Sequence, residues 1–172
     1  TDQVGATPIV LPLTEADVGF SDPTTVDLPD NNPANAEYCE NTPVTDGLVD
    51  WRAGSIEASG SLPTLYQSLT RFETDQEAAA YLESLIGTID CEEWSQDDVV
   101  FRPMVETPVG AWGDDTRQVH AELNSSGLIG HLRAIYVRDG SEVLYVSILT
   151  LRPSELDGLP NLVTVATDRL DF

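Results

Sequence analysis

The clearest helical pattern in the chain lies between Thr74 and Trp94. Thr74 and Glu77 have the spacing of a capping box, in which a hydroxyl and a carboxylate satisfy amides at the start of a helix. Apolar side chains then recur every three or four residues, as on the buried face of an amphipathic helix: Ala78, Leu82, Leu85 and Ile89. The pattern predicts a helix that leads directly into Cys91.

Alternating and continuous apolar runs predict the strands. Two runs precede the helix, at residues 51–59 and 64–72, and predict a hairpin that leads into it. Four more follow the helix, at residues 99–107, 116–124, 128–138 and 142–151. Asp139-Gly140 is a strong hairpin signal between the last two runs. The final run is apolar on both faces, which predicts a central place in the sheet.

The remaining stretches predict the two ends of the fold and a long connection. Residues 1–12 predict an extended lead-in, and Thr14 is the cap of a short helix that should end near Gly19. Residues 21–47 are rich in Pro, Asp, Asn and Thr and predict a long loop. Pro160 introduces a C-terminal helix.

The order of these elements predicts the fold class. Strands joined by hairpins, with helices set apart from them in sequence, favour an α+β fold. We expect an antiparallel sheet of about five to six strands packed against two main helices. No repeat or second domain is visible, so we expect residues 1–172 to form a single domain.

Charge narrows the classes of partner. The chain holds 30 acidic residues and 8 basic ones, all of them arginine, for a net charge of −22. Because so negative a surface repels phosphate backbones, the sequence excludes nucleic-acid binding. Two explanations of the charge stay open: solubility, including in a salty environment, or attraction of a cation or a basic partner.

The two cysteines, Cys39 and Cys91, indicate the compartment. One lies in the long polar loop and the other at the end of the predicted helix, with no CxxC spacing that would suggest zinc. A disulfide between them would stabilise the fold by about 4 kcal/mol in the chain-entropy model. We therefore expect an extracytoplasmic protein, secreted or anchored to the cell envelope. Two unrelated thiols in a cytosolic protein are the alternative.

No run approaches the roughly 18 apolar residues of a membrane span, so we expect no transmembrane segment in this sequence. The chain begins at Thr1 without a signal-peptide pattern. This fits a mature or trimmed ectodomain whose export signal or anchor has been removed.

Patterns that carry known chemistry are missing from the sequence. There is no G-x-S-x-G elbow, and neither a P-loop nor a G-x-G-x-x-G follows a predicted strand. Acidic pairs such as Asp97-Asp98 and Asp114-Asp115 do not match a calcium-binding loop and are better explained as solvated turns. We expect no catalytic residue, no bound metal and no cofactor.

One polar cluster is the candidate ligand-binding site. If Asn124 pairs with Ile129 across the turn between their strands, alternation places five polar side chains on one sheet face: Gln118, His120, Glu122, His131 and Arg133. Glu122 then lies opposite His131, and His120 lies opposite Arg133. Such a face can line a polar ligand cleft or, through its two histidines and a carboxylate, bind a transition metal. A solvated face with weak ion pairs is the third possibility.

The order of elements also resembles a known family. An LTEADV segment leads through a cysteine-bearing loop to two strands, and the alanine-rich helix EAAAYLESLIGTIDC follows. Gly113-Asp114 then precedes a strand, and the closing hairpin reads RDGSEV. Between about Leu13 and Leu170, these features are similar to the PknH-like extracellular sensor domain. That family occurs in actinobacteria, both attached to receptor serine/threonine kinases and as free lipoproteins.

The resemblance implies an α+β domain with a cleft beside an antiparallel sheet, which binds a ligand in the cell envelope without catalysis. Cys39 and Cys91 would match one of the two disulfides usual in the family, and the cysteines for the second are missing. Our leading hypothesis is a sensor-like domain that binds a small molecule or a cell-envelope protein. The alternatives are a metal-dependent hydrolase that uses His120, Glu122 and His131, and an adaptor lipoprotein that acts through protein contacts.

Overall fold

The computed structural model describes residues 7–60 and 62–172, so half of the lead-in predicted for residues 1–12 lies outside the described part. The strands are β1 (Thr24–Asp27), β2 (Leu48–Glu57), β3 (Thr64–Phe72), β4 (Trp94–Gln96), β5 (Val99–Glu106), β6 (Asp115–Ser125), β7 (Leu128–Asp139) and β8 (Glu142–Thr150). The α-helices are α1 (Asp75–Ile89) and α2 (Leu159–Leu170), and short 3-10 helices span Pro33–Asn35 and Pro153–Gly158. Neither α-helix has the length and apolar character needed to cross a bilayer, among the residues described.

The strands form one antiparallel sheet in the order β1-β2-β3-β8-β7-β6-β5-β4. The prediction of about five to six strands was wrong, because the described residues form eight, although the α+β class is consistent with the structure. The two strands that the sequence did not predict are β1, inside the supposed loop, and β4, directly after the second cysteine. With 4 and 3 residues, they are too short to show a period.

The long strands follow the predicted runs closely. β8 lies between β3 and β7, as its two apolar faces indicated. The hairpin turn between β7 and β8 contains Gly140 at a φ of +51°, a backbone region that favours glycine. Pro103 in β5 pairs with Ala121 on one side only, since β4 ends before reaching it, so its missing N–H breaks no ladder.

The two helices cover opposite faces of the sheet. Ile135 and Val137 of β7 belong to the core beneath α2, whereas Ala134 and Tyr136 belong to the core beneath α1. This division follows from the strand period of two, which sends successive side chains to opposite faces. The sheet is therefore buried from both sides at its centre.

α1 begins after Thr74 as predicted, but the Glu77 carboxylate accepts from the Thr74 hydroxyl and not, as a full capping box requires, from the Thr74 amide. Thr74 Oγ1 accepts a hydrogen bond from the Glu77 amide at 3.2 Å, and the same hydroxyl donates to Glu77 Oε2 at 2.9 Å. The predicted apolar stripe is buried against the sheet: Ala78, Leu82, Leu85 and Ile89. The hydroxyl cap and this stripe together fix where the helix begins and which side faces inward.

The short helix predicted after Thr14 is a single turn. Asp17 N donates to Thr14 O at 3.0 Å, and the Asp17 carboxylate accepts from the Thr14 amide at 2.7 Å. The side chain thereby satisfies the backbone locally, and Gly19 follows too soon for a second turn. Leu13 and Val18, on either side of this turn, are both buried in the core beneath α2.

Residues 28–44, here called the tethered loop, are fixed at two points, one within α1 and one just after its end. Cys39 and Cys91 form the predicted disulfide, with 6.0 Å between their Cα atoms and a sequence separation of 52. Val44 N also donates to Ser84 Oγ in the middle of α1 at 2.8 Å. The loop therefore lies across the α1 side of the sheet.

Candidate ligand-binding site

A cavity of about 650 Å³ opens between the tethered loop, α1 and the sheet. Its floor comes from β3, β8 and β7, and α1 contributes Tyr81 and Leu85 to its wall. Asn31, Asn32 and Tyr38 of the tethered loop form the opposite wall. The volume lies within the range typical of small-molecule sites.

Tyrosine dominates the lining of this cavity. The whole chain has 5 tyrosines, and all of them line it: Tyr38, Tyr66, Tyr81, Tyr136 and Tyr145. They come from the tethered loop, from α1 and from the three central strands. Because these elements are distant in sequence, the fold is what brings the rings together.

The closest tyrosine pair is set by the β7–β8 hairpin. Asp139 pairs with Glu142, and the same register places Tyr136 opposite Tyr145. Their ring centroids lie 4.9 Å apart at an interplanar angle of 47°. Since the hairpin turn fixes the register, this pair could have been predicted from the turn alone.

Burial keeps these phenols neutral. It raises the pKa of Tyr136 well above its ordinary value, and it raises the pKa values of Tyr81 and Tyr145 as well. The pKa values of Tyr38 and Tyr66 are raised by burial too. The cavity therefore presents neutral aromatic rings and hydroxyl groups at physiological pH.

A second aromatic group supports one end of the cavity. Trp94 of β4 stacks on Phe101 of β5 with ring centroids 4.6 Å apart. Tyr38 meets Trp94 edge to face at 6.2 Å, directly beside the disulfide that begins at Cys39. This contact ties the loop wall of the cavity to the edge of the sheet.

The polar cluster predicted from sequence lies on the opposite sheet face. The register is the predicted one: Asn124 pairs with Ile129, Glu122 with His131, and His120 with Arg133. The two histidine rings lie near each other, with centroids 6.1 Å apart. The structure thus brings the four candidate residues onto one face, where they are half-buried and lie on the other side of the sheet from the tyrosine-lined cavity.

Two members of this cluster, His120 and Glu122, already have a charged neighbour. His120 Nδ1 lies 3.6 Å from Glu106, whose other oxygen accepts from Gln118 Nε2 at 2.8 Å. Glu122 lies 3.6 Å from Arg102. Within the described residues, no group of three or more His, Cys, Asp or Glu side chains could hold a metal ion. The metal-dependent alternative therefore has no ligand set in the described part of the chain.

Arg133 differs from the other seven arginines. Each of those lies within ion-pair distance of a carboxylate, whereas Arg133 has neither an ion pair nor a hydrogen bond among the described residues. Its Nε is buried without a partner, and so is His120 Nε2. In a chain so rich in acids, an arginine left unpaired is unexpected.

Another cavity, of about 680 Å³, lies at the start of α2. Its lining combines the charged residues Asp17, Arg152 and Glu155 with apolar residues such as Phe20 and Ile148. Nothing comparable to the convergence of tyrosines occurs there. The tyrosine-lined cavity is therefore the better candidate for ligand binding.

The architecture defines the class of fold: an α+β domain with one antiparallel sheet between two helices and a cavity on the α1 side. The structure is similar to the crystal structure of the extracellular domain of PknH from Mycobacterium tuberculosis, with a TM-score of 0.56 and 15% sequence identity. The match covers 88% of this chain and 77% of that one. The sequence itself matches no protein-family model and no curated protein. At this identity the likeness concerns the fold.

Proposed function

We propose that this protein is an extracytoplasmic, sensor-like domain that binds a ligand in the tyrosine-lined cavity and does not catalyse a reaction. The observation that carries the proposal is the convergence of all 5 tyrosines of the chain on one cavity. Buried tyrosines are a poor choice for filling a core, because each hydroxyl needs a partner. Around a cavity, a ligand or water can supply that partner.

Two further observations support the proposal. The disulfide favours an oxidising compartment, where such bonds persist. The fold resembles the extracellular domain of PknH, which is consistent with a domain that works outside the cytoplasm. Anchoring as a lipoprotein, and the single-domain organisation of residues 1–172, belong to the proposal as well.

The test is native mass spectrometry of gently purified protein, incubated with and without a cell-envelope extract. A retained small molecule is expected, and replacing Tyr145 by Leu should abolish its retention because the ring is part of the cavity floor. Replacing Met104 by Ala is the matched control, since Met104 is 59% exposed on the other sheet face. An unliganded mass under every condition would contradict the proposal.

The polar cluster of His120, Glu122, His131 and Arg133 is a second, separate proposal. We infer that it contributes a surface contact for a partner or ligand, because Arg133 has no partner among the described residues. Replacing His131 by Ala should then weaken the binding of envelope components. The same variant should still retain the small molecule in the tyrosine-lined cavity. Unchanged binding in this variant would leave the cluster as a solvated sheet face.

A further inference from the structure

The lining of the tyrosine-lined cavity is uneven in charge. Among the described residues that line it there is no arginine or histidine, and the only ionisable groups besides tyrosine are Asp30 and Glu37. Both carboxylates belong to the tethered loop and are exposed, which places them at the solvent side of the cavity. An anionic ligand would meet these two charges and no compensating cation.

The walls favour positive charge for a second reason. The face of a neutral tyrosine ring carries negative partial charge and attracts a cation lying above it. Burial raises the pKa values of Tyr136, Tyr145 and Tyr81, so these rings have neutral phenol groups rather than phenolates. Tyrosine rings that line a cavity offer the surface on which quaternary ammonium groups bind in aromatic cages.

The rest of the lining is uncharged: the tethered loop contributes amide side chains, and the sheet and α1 contribute mainly apolar ones. Leu85, Leu123, Leu132 and Val143 line the cavity beside the rings, and Phe101 closes one end. These side chains would contact hydrocarbon rather than charge. A ligand that matches the whole cavity therefore combines a cationic group with an apolar body.

From these observations we propose that the cavity selects a small organic cation, a quaternary or protonated amine carried on an apolar body. The inference rests on the proposed function, since it names the class of ligand for the same site. The net charge of −22 acts in the same direction, because it raises the local concentration of cations around the protein.

Three probes of nearly equal shape test the proposal: benzyltrimethylammonium, its neutral carbon isostere neopentylbenzene, and the anion phenylmethanesulfonate. Binding is measured by chemical-shift changes in nuclear magnetic resonance spectra of the full chain. The cation should bind about 10-fold more tightly than the neutral isostere, as expected of a desolvated cation–π contact. The anion should not bind.

Three variants test whether the tyrosine ring and the two carboxylates cause the preference for the cation. Replacing Tyr145 by Leu should weaken cation binding about 10-fold and hydrocarbon binding much less, whereas replacing it by Phe keeps the ring and should change little. Replacing Asp30 by Asn together with Glu37 by Gln should weaken cation binding by about 3-fold at low salt. Because both carboxylates are exposed, this double variant leaves the packed core untouched.

The outcomes separate the inference from the function on which it rests. Equal binding of the cation and the neutral isostere would overturn the charge selection while supporting the cavity as a ligand site. Preferred binding of the anion would overturn the inference outright. No binding by any probe would also overturn it. If native mass spectrometry in addition found only unliganded protein, the proposed function itself would be contradicted.

Discussion

Arg169 near the end of α2 binds Asp17 near the start of the chain through two parallel hydrogen bonds. Arg169 Nη1 donates to Asp17 Oδ2 at 2.6 Å, and Nη2 donates to Oδ1 at 2.7 Å. Nη1 also donates to the Pro12 carbonyl at 2.6 Å. One guanidinium therefore holds the turn at Thr14 against the last helix, across 152 positions of sequence.

This ion pair should make stability depend on pH in the acid range. The hydrogen bond from Arg169 lowers the pKa of Asp17 from 3.8 to about 2. Because the pKa is lower in the folded protein, the stabilisation is complete above the unfolded value near 3.8 and is lost as the pH falls towards about 2. Replacing Asp17 by Asn should lower the melting temperature by a few degrees at pH 5, a pH well above both values. Near pH 2 the variant and the wild type should melt alike; an equal difference at both pH values would contradict this prediction.

Removing the disulfide should destabilise the protein. In the chain-entropy model, a cross-link that closes a loop of 52 residues contributes about 4 kcal/mol, and engineered cases often deliver less. Replacing Cys39 and Cys91 together by Ser should therefore lower the free energy of unfolding in urea by about 2–4 kcal/mol. The double variant should also bind ligand more weakly, because the tethered loop forms one wall of the cavity. A midpoint equal to that of the wild type would show that the loop is held by its other contacts.

Replacement by Met should change the free energy of unfolding differently at two half-buried arginines. Arg138 lies 3.2 Å from Asp114 and donates to the Gly140 carbonyl, and its side chain is only 16% exposed. Replacing it by Met should lower the free energy of unfolding by about 1–3 kcal/mol. Arg133 has no described partner, so Arg133→Met should leave the stability unchanged or raise it. A large loss in urea denaturation of Arg133→Met would show a partner that the structure does not display.

Glycine replacements offer a similar contrast. Gly87 is exposed in α1, and a Cβ there would meet nothing within 4 Å, so Gly87→Ala should stabilise the protein by about 0.5–1 kcal/mol. Gly113 has a φ of +56°, and a Cβ there would lie 2.5 Å from the Arg138 carbonyl oxygen. Gly113→Ala should therefore destabilise by more than about 1 kcal/mol. Thermal melts of both variants check the two signs, and a shared sign would contradict the local geometry.

The long elements could be predicted from sequence because each shows several periods of its pattern. The Thr74 cap and the apolar stripe that follows it predicted α1. The Asp139-Gly140 turn predicted the β7–β8 hairpin and its register. The edge strands β1 and β4 could not be predicted, since their pairing depends on backbone partners rather than on their own side chains.

The candidate site was only partly accessible from sequence. The pairing of His120 with Arg133 was predicted from the register of the hairpin between their strands, and the same pairing is found in the structure. The tyrosine-lined cavity did not follow, because Tyr38, Tyr66 and Tyr81 reach it from three separate elements. Only the pairing of Tyr136 with Tyr145 had a local signal.

The order of strands also constrains how the chain assembles. β3 pairs with β2 on one side and with β8 on the other, so residues 64–71 find their second partner only among residues 142–149. Both cysteines and α1 precede β8 in the sequence, so the disulfide can form while β3 still lacks this second neighbour. Until β8 pairs, the backbone groups of β3 form a temporary edge that invites association with other chains. Mutual repulsion among these strongly acidic chains, each of which carries −22 when complete, opposes that association.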